Sequence, residues 1–200
     1  MNFKTMLRGA LAAAAALSLA ACGINSVPTA EEEAKAKWGD VEAAFQSRTN
    51  LLPNIEALVK AAKQGETDIF VGVAEARAKA GSVTISDADL SNPEKMAQYA
   101  DAQNALGSGL SRLFATVESN PDPKFTQNIQ TAQAQVEGAE NRIRIAIRDY
   151  NEAVRKYNTT IRTFPDSIGA NIIHGAEPMV PYKAATEGAE VAPKMDFGAK

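Results

Sequence analysis

The sequence predicts an all-α protein, an elongated antiparallel four-helix bundle followed by an extended carboxyl-terminal tail. Two observations carry that prediction. Between residues 123 and 164, Ile129, Val136, Ile143, Tyr150, Tyr157 and Phe164 recur at strict seven-residue intervals, with Ile147, Val154 and Ile161 between the later ones. Sustained spacing of seven lines one helix face and favours helices packed lengthwise at a shallow angle. Upstream, three further segments with apolar steps of three and four are joined by polar turns, the pattern of an up-and-down bundle.

The first helix is expected over about 29–63. Ala34, Trp38, Val41, Phe45, Arg48, Leu52, Ile55, Val59 and Ala62 share one face, and only Arg48 is out of character. Thr29 and Glu32 have capping-box spacing at its start, and Gly65 breaks the run at its end. Pro53 lacks a backbone donor and clashes with the preceding turn, so a kink or restart is expected near Leu51. A second helix over 66–80 carries Ile69, Val73, Ala76 and Ala80, with Gly81 placed as a carboxyl cap. The alternation Val83-Thr84-Ile85 in the polar stretch that follows has no partner strand, so it reads as a connection.

Ser91-Asn92-Pro93-Glu94 starts the third helix, 92–119, because a short polar cap precedes a proline whose missing donor is harmless in the first turn. Its stripe is Met96, Tyr99, Gln103, Leu106, Leu110, Leu113 and Val117, with Gln103 the single polar member. Asn120-Pro121-Asp122-Pro123 forms a turn and caps the fourth helix, 123–164. Phe164-Pro165 ends that helix, and 166–173 has room for one short helical turn. The bundle thus spans 29–175. The tail, 176–200, is punctuated by Pro178, Pro181, Gly188 and Pro193 and is expected to lie extended, partly against the bundle. Gly72, Gly107 and Gly109, with abundant Ala, permit close helix approach at some cost in helix propensity.

Residues 1–21 read as a targeting segment. Lys4 and Arg8 precede the apolar run Gly9 to Ala21, which is well short of the roughly 20 residues a spanning helix needs. The run closes in Leu19-Ala20-Ala21-Cys22, which resembles a bacterial lipoprotein signal. That resemblance implies diacylglycerol on the Cys22 sulfur and cleavage between Ala21 and Cys22, leaving 22–28 as a tether. More than one acyl chain makes such an anchor stable. The expected location is the extracytoplasmic face of a bacterial membrane, and in a Gram-negative cell Gly23, where a retained protein has Asp, favours the outer membrane.

Cys22 is the sole cysteine, so the chain forms no internal disulfide. Loss of Lys4 and Arg8 moves the formal charge of −3 two further units negative. A mildly acidic domain has no electrostatic footprint for nucleic acid.

No catalytic constellation emerges, and no metal or other cofactor is expected. His174 is the only histidine, without cysteine or carboxylate at ligand spacing. Tyr150, Tyr157 and Phe164 read as core, and their neighbours Asn151 and Asn158 are expected to bond helix ends or water. One sharper expectation concerns Arg48 and Glu140. Antiparallel first and last helices bring them within about a turn of each other, as a structural ion pair setting helix register or as two charges reaching solvent at a seam edge.

Several separated motifs also resemble one family. Glu140-Asn141-Arg142-Ile143, Asp149-Tyr150-Asn151-x-x-Val154-x-x-Tyr157-Asn158 and Ile161-Arg162-x-Phe164-Pro165 are similar to the signature of the LemA family of bacterial envelope proteins. Arg48-Thr49-Asn50-Leu51-Leu52-Pro53-Asn54-Ile55, Ala76-Arg77-Ala78, Tyr182, Glu187-Gly188-Ala189, Ala192-Pro193-Lys194 and Asp196-Phe197 agree with it. The resemblance spans Trp38 to Phe197 and implies an antiparallel helical bundle outside the cytoplasm. Many members resemble single-pass proteins with a longer amino-terminal membrane helix, whereas this chain has a short run and a lipobox. The family brings no settled activity, so no active-site residues are carried over. The expected function is a non-catalytic interaction or scaffold module, membrane-anchored through Cys22, with an envelope protein as partner. The alternative is a binder of lipid or another apolar ligand between helices.

Overall fold

The computed structural model describes the backbone of residues 3–61, 67–119 and 123–183, and the side chains of 24–61, 71–119 and 123–183. The side chains at the Ala21/Cys22 junction, Ala62, Gly65, the Ile69 side chain, the turn at 120–122 and the tail beyond Lys183 lie outside the described residues. The helices are α1 (Phe3–Thr49), α2 (Leu52–Ala61), α3 (Thr67–Ser82), α4 (Pro93–Ser119), α5 (Thr126–Thr160) and α6 (Asp166–Gly169). A 310 turn, Asp87–Ser91, precedes α4, and a π turn, Ala170–His174, extends α6. There is no strand among the described residues, as the all-α expectation requires.

The predicted restart near Leu51 is present. The Leu51 amide donates to Arg48 O at 3.1 Å, and α2 then begins with Pro53 in its first turn, where its missing N–H leaves nothing unpaired. Asn92 caps α4 as its sequence predicts, its side-chain oxygen accepting from the amides of Glu94 and Lys95. Three local expectations fail. Thr29 lies inside α1, which is already helical through 22–28 with Val27 fully buried, so Thr29 bonds back to Asn25 O and caps nothing. Gly81 lies inside α3, in open space. Phe164 falls beyond α5 and is exposed, because Pro165 disfavours helical backbone at the residue before it and the chain turns at Ile161. The rest of the stripe from Ile129 to Tyr157 is buried, except Ile147, which is half-buried against the core.

Cross-helix partners give the topology. Ser26 meets Asp166, Glu33 meets Lys156 and Arg48 meets Glu140, so α1 and α5 run antiparallel. Trp38 meets Tyr99 and Arg48 meets Gln103, so α4 runs with α1. The buried side chains divide into two clusters. One holds Leu52, Ile55 and Val59 of α2, Val73 and Ala80 of α3, Leu106 to Val117 of α4, and Ile129 to Val136 of α5. The other holds Val27 to Phe45, Met96 to Ala100 and Ile143 to Ile161, and no residue of α3 reaches it. There the fourth side is closed by Ile85 and Leu90 of the connection and by Met179 and Tyr182 of the tail.

Candidate functional site

Between the two clusters lies one polar layer. Arg48, 2 % exposed, sits at the level where both apolar clusters stop. Its Nη1 donates to Glu140 Oε1 at 2.9 Å, and its Nη2 donates to the backbone oxygen and Oε1 of Gln103, each at 2.9 Å. The guanidinium also lies 5.1 Å from the centre of the Phe45 ring. Gly107 explains how α4 comes this close, since a Cβ there would stand 3.2 Å from Arg48 Nη1. The structure thus brings together the two charges that the sequence singles out, and adds Gln103 and Gly107. A Cβ at Gly109 would meet Val73 at an ordinary 3.5 Å, and Gly72 faces open space, so neither position requires glycine as Gly107 does.

Above this layer α4 and α5 stand apart. The groove between them has a volume of about 850 Å³ and a floor formed by Arg48, Gly107 and Glu140. Arg112, Gln133, Glu137 and Arg144 are among its walls. Both signs of charge therefore face one open channel.

On the opposite half of the bundle the tail forms a strap. Asn158 accepts from the Met179 amide and donates to Met179 O, at 2.9 and 2.8 Å. Asn151 repeats the arrangement on Tyr182, at 2.8 and 2.9 Å. Tyr157 and Tyr150 donate to the carbonyls of Glu177 and Val180. The spacing fits because seven helical residues rise about 10.5 Å, close to the roughly 9–10 Å of three extended residues. Pro178 and Pro181 favour extended backbone and carry no donor to satisfy, while the Val180 amide reaches Leu90 O at 2.8 Å. The expectation that Asn151 and Asn158 serve helix ends or water is thus replaced by backbone recognition. The readable signal is the Tyr-Asn dipeptide repeated at seven opposite prolines repeated at three.

Beneath the strap lies an aromatic cluster. Trp38 packs edge-on against Tyr99 and Tyr150, with ring centres 5.3 and 5.1 Å away, and Tyr182 lies against both Trp38 and Phe45. Burial pushes the Tyr99 phenol up to about 12, and raises Tyr150, Tyr182 and Tyr157 above their ordinary value as well. These are all the tyrosines of the chain. In the unfolded chain the phenols ionise near pH 10, so above that pH unfolding releases protons that the folded state retains. Stability should be undiminished by tyrosine below about pH 10 and fall as pH rises towards 12. Phenolate absorbance and loss of helical circular dichroism should then appear in one transition. Phenolate forming near pH 10 with helix content intact would show that these rings are open to water.

His174 lies at the far end, its Nε2 3.2 Å from Ile24 O. No group of three or more His, Cys, Asp or Glu able to hold a metal ion occurs among the described residues. No helix of the described residues is long and apolar enough to cross a membrane. The LemA family model matches residues 37–197. A comparison with curated proteins finds no match. The matched span includes the cluster around α2 and α3, the arginine layer, the strap and all of the other apolar cluster but Val27, Ala30 and Ala34, and the chain belongs to the LemA family.

Proposed function

We propose that this protein is a lipid-anchored, non-catalytic interaction or scaffold module on the extracytoplasmic side of a bacterial envelope. Cys22, behind its lipobox, supplies the anchor. The observation that carries the interaction reading is the groove between α4 and α5, open and lined by charges of both signs over a buried arginine floor. A partner helix or extended segment with complementary charge fits such a channel. Leu110, Phe114 and Val136 also line the groove, but an acyl chain seated there would desolvate Arg112, Glu137 and Arg144 without pairing them. The apolar-ligand alternative is therefore the weaker reading.

The test is to isolate the lipidated protein from its native membrane after brief crosslinking and identify what accompanies it by mass spectrometry. A near-stoichiometric protein partner is expected with the native chain. It should be lost from the double variant Arg112→Glu/Arg144→Glu, both at exposed positions, with helix content unchanged. Recovery of the protein alone, or with one enriched lipid, would overturn the scaffold reading.

A further inference from the structure

Seven large apolar side chains are exposed among the described residues, and five of them gather at one end of the bundle. Phe164, Ile168, Ile172 and Ile173 come from the turn after α5 and from the α6–π segment, and Ile24 comes from α1; they are between 43 and 79 % exposed. The other two, Val71 and Ile145, belong to α3 and the middle of α5. Two contacts fix this end to α1: Ser26 Oγ donates to Asp166 at 2.7 Å, and His174 Nε2 lies against Ile24 O. Concentration of apolar surface at one end of a folded chain marks a contact with something outside it.

What covers this end follows from the position of Cys22. If acylation and cleavage occur there, Ile24 is the third residue of the mature chain. The helix rises 1.5 Å per residue, so Cys22 and Ile24 differ in height by about 3 Å. Apolar faces that lie in a membrane interface sit about 5–10 Å deep. Acyl chains on Cys22 cannot enter the bilayer without bringing Ile24, and the side chains tied to it, to that depth.

We propose that Ile24, Phe164, Ile168, Ile172 and Ile173 form an apolar collar that rests in the lipid surface around the anchor. This rests on the reading of Cys22 as the acylated residue. The collar turns a single-point tether into an end-on seat and holds the bundle axis away from the membrane plane. It also places the arginine layer and the α4–α5 groove farther along α1 from the bilayer than the collar.

The test uses the full lipidated protein with one new thiol, Ile172→Cys, carrying an environment-sensitive fluorophore; acylated Cys22 has no free thiol. Ile145→Cys is the control. Both positions are exposed, so labelling leaves the core intact. Intact mass first establishes acylation. In phosphatidylcholine vesicles containing shallow spin-labelled lipid, the label at 172 should shift to the blue and lose most of its emission. The label at 145 should behave as in water, and neither result should depend on protein density. An aqueous label at 172 on acylated protein overturns the collar alone. Immersion that grows with protein density overturns it in favour of contact between copies. An unacylated Cys22 overturns the anchor, and with it the collar that depends on it.

Discussion

Glu140→Ala is expected to destabilise the bundle by about 3–5 kcal/mol, more than Arg48→Met, although the two residues form one pair. The asymmetry comes from burial. The Arg48 side chain is 3 % exposed and the Glu140 side chain 38 %. Removing the acid strands a charged guanidinium inside the bundle with only the neutral Gln103 and the Phe45 ring beside it, whereas removing the arginine leaves a carboxylate that water already reaches. Arg48→Met keeps an unbranched stem against Phe45 and should cost about 1–3 kcal/mol, mainly for the Gln103 groups left unpaired. Replacing the whole layer, Arg48→Met with Gln103→Leu and Glu140→Leu, should recover most of the loss. Urea denaturation of the three variants reads the order directly. A smaller effect for Glu140→Ala than for Arg48→Met would mean that the guanidinium is hydrated.

The layer also settles a question that apolar packing leaves open. The α5 stripe repeats every seven residues, so sliding α1 by two turns would again meet apolar side chains. Only one register places Arg48 beside Glu140, Gln103 and Gly107. We predict that the fully apolar layer is stable but less uniquely paired, as single buried polar residues do for coiled-coil register.

Tyr182→Ala is expected to cost about 3–5 kcal/mol, as truncation of a buried aromatic does elsewhere. Tyr182→Phe should cost almost nothing, because the hydroxyl is buried without a hydrogen-bond partner among the described residues. Asn151→Leu removes both bonds to Tyr182 and should cost about 1–3 kcal/mol for each backbone group left unpaired. Since both changes release the same stretch of strap, the double variant should fall well short of additivity. Trp38, the only tryptophan, packs against Tyr182 with ring centres 6.5 Å apart and reports the loss through its fluorescence. Unchanged Tm for both Tyr182→Ala and Asn151→Leu would show that the tail is not part of the core.

Helix identity, order and buried faces were legible because period and burial agree: every stripe position of α4, Gln103 included, is buried. The break at Leu51 and the start at Asn92 were legible because proline and asparagine act locally. Arg48 and Glu140 were legible as a candidate pair through antiparallel register alone. The strap was half legible, since the prolines indicate an extended tail but nothing local says what Asn151 and Asn158 bind. Their partners lie 31 and 21 residues away, and side-chain periodicity carries no information about backbone partners. Phe164 was misplaced because a seven-residue count continues past Thr160 whereas the proline effect at Pro165 ends the helix first.

The strap has a consequence in time as well as in space. A chain that emerges amino terminus first exposes Trp38 and Phe45 early, yet the residues that cover them, Met179 and Tyr182, come late. The cluster around α2 and α3 needs nothing beyond α5, so it can consolidate while the other half still lacks its closing side. During synthesis, therefore, the aromatic side chains of this half are the last part of the core to gain their cover. Escort by a chaperone would matter most until then, and a stopped chain ending before Pro178 should be the form that aggregates.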